Sequence, residues 1–115
     1  MMILADFKKI FFYKRRVDFR KSIDGLLGII MEEIKEDPYQ RYLFVFLNTH
    51  KNKIKTIYWD KTGFALWYKR LEENRFKINI REGIEEVSME DLKKFLDGYD
   101  IFGFKRDEIK KYNFY

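Results

Sequence analysis

Apolar residues at Ile23, Leu26, Leu27, Ile30, Met31 and Ile34 follow the i, i+3, i+4, i+7, i+8, i+11 spacing of a single helical stripe. That spacing predicts a helix over 19–36. Asp18 offers a carboxylate to the free amides of the first turn, and Pro38 disfavours helical geometry at Asp37. Gly25 and Gly28 each weaken such a helix by about 1 kcal/mol relative to alanine, which points to a strand or another backbone packed close to them. Before it, residues 8–15 mix aromatic and β-branched side chains and predict a strand, although Ile10, Phe11, Phe12 and Tyr13 run consecutively instead of alternating.

After the helix come four strand-like runs, 42–48, 53–59, 64–70 and 75–81, joined by short connectors that suit an antiparallel meander. Asp60-Lys61-Thr62-Gly63 reads as a tight hairpin with Gly63 at the position wanting positive φ. In the last run Phe76, Ile78 and Ile80 alternate with Arg75, Lys77, Asn79 and Arg81, which predicts one apolar and one basic sheet face. Ser88-Met89-Glu90-Asp91 approximates a capping box for a second helix over 89–97, with Met89, Leu92, Phe95 and Leu96 on its buried side and Gly98 at its end. Residues 99–115 are rich in aromatics but have no period, as suits a tail that packs on the domain or docks a partner.

The order β, α, β, β, β, β, α predicts an α+β domain spanning residues 1–115. Its expected architecture is an antiparallel meander of four to five strands, with both helices packed on the one apolar face. The expected core comprises Ile23, Leu27, Ile30, Ile34, Phe44, Phe46, Phe76, Ile78, Leu92 and Leu96. With 115 residues, 46% of them hydrophobic, and a single proline, the chain suits one core and is not a linker.

The absence of cysteine excludes disulfides, thiol nucleophiles and thiolate metal sites, and His50 is the lone histidine. The apolar runs are far shorter than the ~20 residues that span a bilayer, and Met1–Ala5 is too short for a signal-peptide core, so the expected compartment is the cytoplasm. Other chemistry also lacks its residues. Gly98 and Gly103 have the spacing of a phosphate-binding loop, but Phe104 and Lys105 stand where Lys and Ser/Thr are needed. Asp18, Asp24, Asp60 and Glu72 are the candidate carboxylates for a two-metal nuclease, yet Asp18 reads as a cap and Asp60 as a turn former. Ser22 and His50 lie on different elements with no third group to orient a base. No catalytic residue, metal, cofactor or small-molecule substrate is expected.

What remains is charge. The net charge is +5, and it is segregated: residues 1–21 carry seven basic and two acidic groups, and residues 51–81 carry nine and three. Residues 22–50 carry two basic and five acidic groups, and residues 82–115 six and nine. Solvated strands and helices explain such segregation as readily as a binding surface does. As a binding surface, Lys55 and Trp59 share one side of their run, Trp67 and Lys69 share one side of the next, and Arg75 and Lys77 extend it. Arg20 and Lys21 add a second cluster beside Lys14, Arg15 and Arg16. Lysine and arginine would neutralise phosphates while an exposed tryptophan stacks on a base, but either indole serves equally well as a cross-strand core partner.

Several blocks of this sequence resemble one family. Asp18-Phe19-Arg20-Lys21-Ser22-Ile23-Asp24-Gly25-Leu26 is similar to its D-M-R-K-x-x-D-G-L segment, and Asp37-Pro38 with Leu43-Phe44-Val45-Phe46 to its D-P and L-F-V-F. Lys55-Thr56-Ile57-Tyr58-Trp59-Asp60, Gly63-Phe64, and Lys69-Arg70-Leu71-Glu72 with Arg75-Phe76 resemble its K-x-L-x-W-D, G-F and K-R-L-E-x-x-R-F blocks, in the same order and at similar spacing. The family is the small accessory protein, TnpB, of bacterial insertion sequences of the sixty-six class, distinct from the RNA-guided nuclease of that name. The resemblance spans about residues 17–100. It implies a non-catalytic protein of a mobile element, acting beside a separate transposase. Its expected partners are the transposase, the element's DNA ends, or both, met through a basic sheet face. The alternative is a pure protein-interaction module that binds the transposase without touching DNA. Arg20, Lys21, Lys55, Lys69, Arg70 and Arg75 fall in the matched blocks and, with Trp59, Trp67 and Lys77, are the candidate contacts. The sequence departs from the pattern at Asn48-Thr49-His50-Lys51-Asn52, where the family is richer in arginine, and at Lys77-Ile78-Asn79, where it has Trp-Pro.

Overall fold

The structure is a computed structural model and describes residues 6–78 and 83–102. Five strands form one sheet: β1 (Lys9–Val17), β2 (Tyr42–Asn48), β3 (Lys53–Asp60), β4 (Gly63–Arg70) and β5 (Ile84–Val87), in the spatial order β4-β3-β2-β1-β5. Two helices complete it, α1 (Ile23–Ile29), which runs on into a π-helical segment at Ile30–Ile34, and α2 (Met89–Leu96). The class is α+β and most pairings are antiparallel, but β1 and β2 run parallel, with Ile10 opposite Leu43 and Phe12 opposite Val45. Parallel neighbours need a long crossover, and residues 18–41, carrying α1, supply it.

This topology overturns the expectation that both helices share one face. Leu26, Ile30 and Ile34 of the first helix pack on Phe11, Tyr13, Phe44, Phe46 and Ile57. On the other side, Leu92, Phe95 and Leu96 of α2 pack on Ile10, Phe12, Leu43, Val45, Leu47 and Ile54. The strand residues alternate between the two sets, so the helices cover opposite faces. The consecutive apolar runs Ile10–Tyr13 and Leu43–Leu47 are thereby explained, because a strand buried on both sides has no polar face to alternate with. Each large side chain buried there contributes about 1.5–3 kcal/mol.

The meander is also shorter than expected. It comprises β2, β3 and β4, and the described part of the fourth run, 75–78, is not a strand; residues 79–81 lie outside the described residues. The Phe76 amide donates instead to the Lys51 carbonyl (2.7 Å), and Phe76 and Ile78 join the α2-side core while Arg75 and Lys77 stay exposed. Period-two burial here belongs to residues 75–78 lying against the α2-side core outside any strand. Eight of the ten expected core residues are buried; Ile23 and Leu27 are half-buried at the margin of the α1-side core.

Local signals succeed unevenly. The Ser88 hydroxyl accepts from the Asp91 amide (3.0 Å) and Gly98 follows α2 at φ +100°, as its sequence requires. The first helix begins later than expected. Asp18 does not cap it: its carboxylate accepts from the Arg20 amide (2.9 Å), the Asp18 carbonyl takes the Lys21 amide (3.0 Å), and the first helical bond runs from Leu26 to the Ser22 carbonyl. Nor does another backbone crowd the helix glycines; a Cβ on Gly25 would meet the Lys21 side chain, and one on Gly28 would meet nothing. In the β3–β4 hairpin Asp60 pairs with Gly63 as expected, but Lys61 carries the positive φ of 54°. Of the tail, Ile101 and Phe102 pack on the α2 side, and 103–115 lie outside the described residues.

One part-buried polar link ties the crossover to the sheet. The Tyr13 hydroxyl donates to Glu33 Oε1 (2.6 Å), and burial, then this bond to an anion, pushes the phenol from 10.0 up to about 12. The native state therefore holds a proton that the unfolded chain releases above pH 10.0. Its stabilising share is complete below that pH and is lost as pH rises toward about 12. Urea unfolding across that range is expected to show a decline that the Tyr13→Phe protein lacks.

Candidate nucleic-acid interface

Because β1 and β2 are parallel, their C-terminal ends emerge together at one end of the sheet, where Val17 pairs with Asn48. Three separate stretches of chain gather there. The loop 18–22 leaves β1 toward α1. The β2–β3 turn is built by Asn48, a buried side chain whose Oδ1 accepts from the amides of Asn52 (3.0 Å) and Lys53 (2.8 Å) while its amide donates to Asn52 Oδ1 (2.7 Å). Finally β4 ends beside this turn, with Arg70 opposite Lys53, and the 71–76 loop is held to it by Leu71 donating to Asn52 (2.7 Å) and Phe76 to Lys51.

The result is a basic end of the sheet carrying Arg20, Lys21, Lys51, Lys53, Arg70 and Arg75. Two of these cations are balanced. Arg20 grips Asp18 through Nε (2.9 Å) and Nη2 (2.6 Å), and Arg70 holds Glu72 (2.8 Å). The Arg20 hydrogen bonds hold the Asp18 carboxyl down at about 2, so that pair is ionised at neutral pH. Lys21, Lys51, Lys53 and Arg75 have no acidic partner among the described residues. Between the loop and the turn lies a depression of about 490 Å³, lined by Asp18, Phe19, Arg20, His50, Lys53 and Tyr68 among others.

The expected single basic sheet face does not exist. Lys55 and Trp59 point to the α1 side, whereas Trp67 and Lys69, paired with Thr56 and Ile54, point to the α2 side. Residues opposite one another across two strands share a face, and Trp67 lies opposite Thr56, between Lys55 and Ile57. Both face-borne lysines are engaged by the fold. Lys55 Nζ donates to the carbonyls of Phe19 (3.0 Å) and Lys21 (3.1 Å) and lies 4.9 Å from the Phe19 ring centre, so it clamps the 18–22 loop to β3. Burial, then the neighbouring Lys53 charge, lowers its pKa. Lys69 Nζ donates to the Leu96 carbonyl (3.4 Å), placing a cation at the C-terminus of α2 where the helix dipole favours it.

Neither tryptophan sits at the basic end. Trp59 is half-buried at the opposite, hairpin end of β3, edge-on to Tyr39 and Phe64 at 5.0 Å each, and Trp67 is half-buried against the α2-side core. Lys77 is exposed beside the buried Phe76 and Ile78. Of the candidates, then, Arg20, Lys21, Arg70 and Arg75 come together, Lys55 and Lys69 support neighbouring backbone, and Trp59, Trp67 and Lys77 lie elsewhere. Lys51, Lys53 and His50 were missed, and the available signal was the +6 charge of residues 51–81, which includes the turn. Among the described residues no three His, Asp or Glu side chains converge as metal ligands; Asp18 and Asp60 stand at opposite ends of the sheet. No helix among them is long and apolar enough to cross a membrane.

Comparison with known proteins agrees with the motif blocks. Residues 8–106 match the IS66 Orf2-like family, which includes the whole sheet, both helices and every cation of the basic end. The chain is 31% identical over 96 residues to the uncharacterized protein y4jC of Sinorhizobium fredii, covering 83% of this chain and 82% of that one. It is 28% identical over 78 residues to a UPF0597 protein of Clostridium tetani, covering 68% of this chain but only 18% of the longer protein. No solved structure matches it. The chain belongs to the IS66 Orf2-like family, the TnpB accessory proteins of insertion-sequence transposition.

Proposed function

We propose that this protein serves transposition without breaking bonds itself, by holding the element's DNA ends against the basic end of its sheet. The observation that carries this reading is the convergence there of Lys21, Lys51, Lys53 and Arg75 from three stretches of chain, with no acidic partner among the described residues. A phosphate backbone is the partner that such a cluster of unpaired, solvated cations suits, because each contact releases a condensed counterion. Arg20 adds a planar donor group held in place by Asp18, and Lys55 fixes the loop that bears it. This assignment replaces the sheet face with the sheet end and keeps Arg20, Lys21, Arg70 and Arg75 as contacts.

The rival is a module that binds only the transposase. It is favoured by the aromatic cluster at the other end of the sheet, where Tyr39 is 60% exposed over Trp59 and Phe64. The two readings separate in one comparison. Fluorescence anisotropy on labelled element-end duplexes is expected to show affinity falling steeply with salt, by a log-log slope of about −0.9 per phosphate neutralised. Capture of the transposase after nuclease treatment, together with no measurable affinity for the duplex, would establish the rival instead.

A further inference from the structure

The two edges of the sheet are built differently. At one edge β5 is short, four residues, and carries Glu85 and Glu86, with Glu85 paired to the buried Lys14 (3.3 Å). Charge and brevity of this kind protect an edge from pairing with another chain. At the other edge β4 has less of this protection. Its eight residues extend about 26 Å, contain no proline, and reach their first charge only at Lys69.

The outer edge of β4 is unpaired among the described residues. Its ladder partner is β3, so alternate amides and carbonyls face outward, and no other described backbone group bonds to them. Its side chains are apolar and only half covered on both faces. Phe64 and Leu66 flank the α1-side core, Trp67 flanks the α2-side core, and Tyr68 is 45% exposed. An added strand would therefore gain main-chain hydrogen bonds and bury apolar surface on both faces.

We infer that the occupant is a second copy of this chain, its β4 antiparallel to the first about a two-fold axis, merging two five-stranded sheets into one. Charge selects this arrangement. In an antiparallel pair centred on Leu66, in which opposite residues share a face, Lys69 and Arg70 of each copy lie beside the other copy's uncharged Gly63 and Thr62. A parallel pair would set lysine on lysine and arginine on arginine. The apolar stretch Phe64-Ala65-Leu66-Trp67-Tyr68, with Leu66 opposite its own counterpart, is its own complement, as a two-fold interface requires.

Sedimentation equilibrium of the full chain is expected to give twice the 14.3 kDa protomer mass at high micromolar concentration. Leu66→Lys, which sets two cations near the axis, is expected to weaken dimerisation at least about tenfold. Amide exchange of the unmodified protein supplies an arm that does not depend on the variant folding: the outward-facing β4 amides, those not bonded to β3, should be protected in the dimer and lose that protection on dilution. A monomer throughout the range overturns the inference. So does a dimer whose β4 exchange ignores dilution, or one that Leu66→Lys leaves equally tight. Slow, concentration-independent β4 exchange in a monomer would assign the edge to another segment of the same chain.

Discussion

Replacing Lys21, Lys53 and Arg75 together by glutamate is expected to weaken binding to element-end DNA about 100-fold or more at about 0.1 M salt, and to leave folding stability nearly unchanged. These side chains have no hydrogen-bond or ion-pair partner among the described residues, so their loss removes no native hydrogen bond or ion pair there. On the proposed function it would remove three phosphate contacts, which should flatten the log-log salt slope by about 2.7. The paired measurement is anisotropy over a salt series, with urea unfolding of the same protein. Lys69→Ala should show the reverse pattern, a destabilised α2 terminus with DNA affinity nearly intact, because its ammonium is bonded to the Leu96 carbonyl. Equal affinity and equal slope in the triple variant would remove the sheet end from the account of function.

Phe95→Ala is expected to cost about 3–5 kcal/mol, the largest single loss of stability anticipated in the molecule. Its ring is fully buried, edge-on to Phe12 at 4.9 Å, stacked on Phe76 at 5.1 Å and in contact with Phe102 at 5.7 Å. It therefore joins α2, β1 and the segment after β4 in one cluster. Domains of this size have about 5–15 kcal/mol in all, so a large fraction of the stability rests on this residue. Denaturant unfolding should show a lower midpoint at unchanged slope. Phe76 also anchors the loop that carries Arg75, so the same variant should weaken DNA binding even where it remains folded.

The elements legible in the sequence were those whose signals are local. The stripe from Ile23 to Ile34, the Ser88 cap, the Asp60–Gly63 hairpin and the class of fold needed only spacing and residue type. Relations between distant stretches were not legible. A connector the length of 18–41 permits β2 to run either way beside β1, and only the unbroken apolar run Ile10–Tyr13 hinted that both faces would be covered. The period-two pattern at Phe76 and Ile78 looked like a strand because burial alternates in any extended chain lying on a core. The same division holds for the site. Residue type found Arg20, Lys21, Arg70 and Arg75, but the separation of Lys55 from Lys69 depends on cross-strand register, and the inclusion of Lys51 and Lys53 depends on the parallel pair.

The Asn48-built turn has a thermodynamic consequence. It brings Lys51 and Lys53 beside a loop about thirty residues earlier and a loop about twenty residues later, so the positive field is a property of the tertiary structure. In the unfolded chain those charges spread out, and a polyanion has no equivalent place to settle. On the proposed function, nucleic acid at the sheet end is expected to act as a ligand of the native state, raising that state's stability by about 2.7 kcal/mol when present at a hundred times its dissociation constant. Loading with such a partner and keeping the chain folded would then be one linked equilibrium.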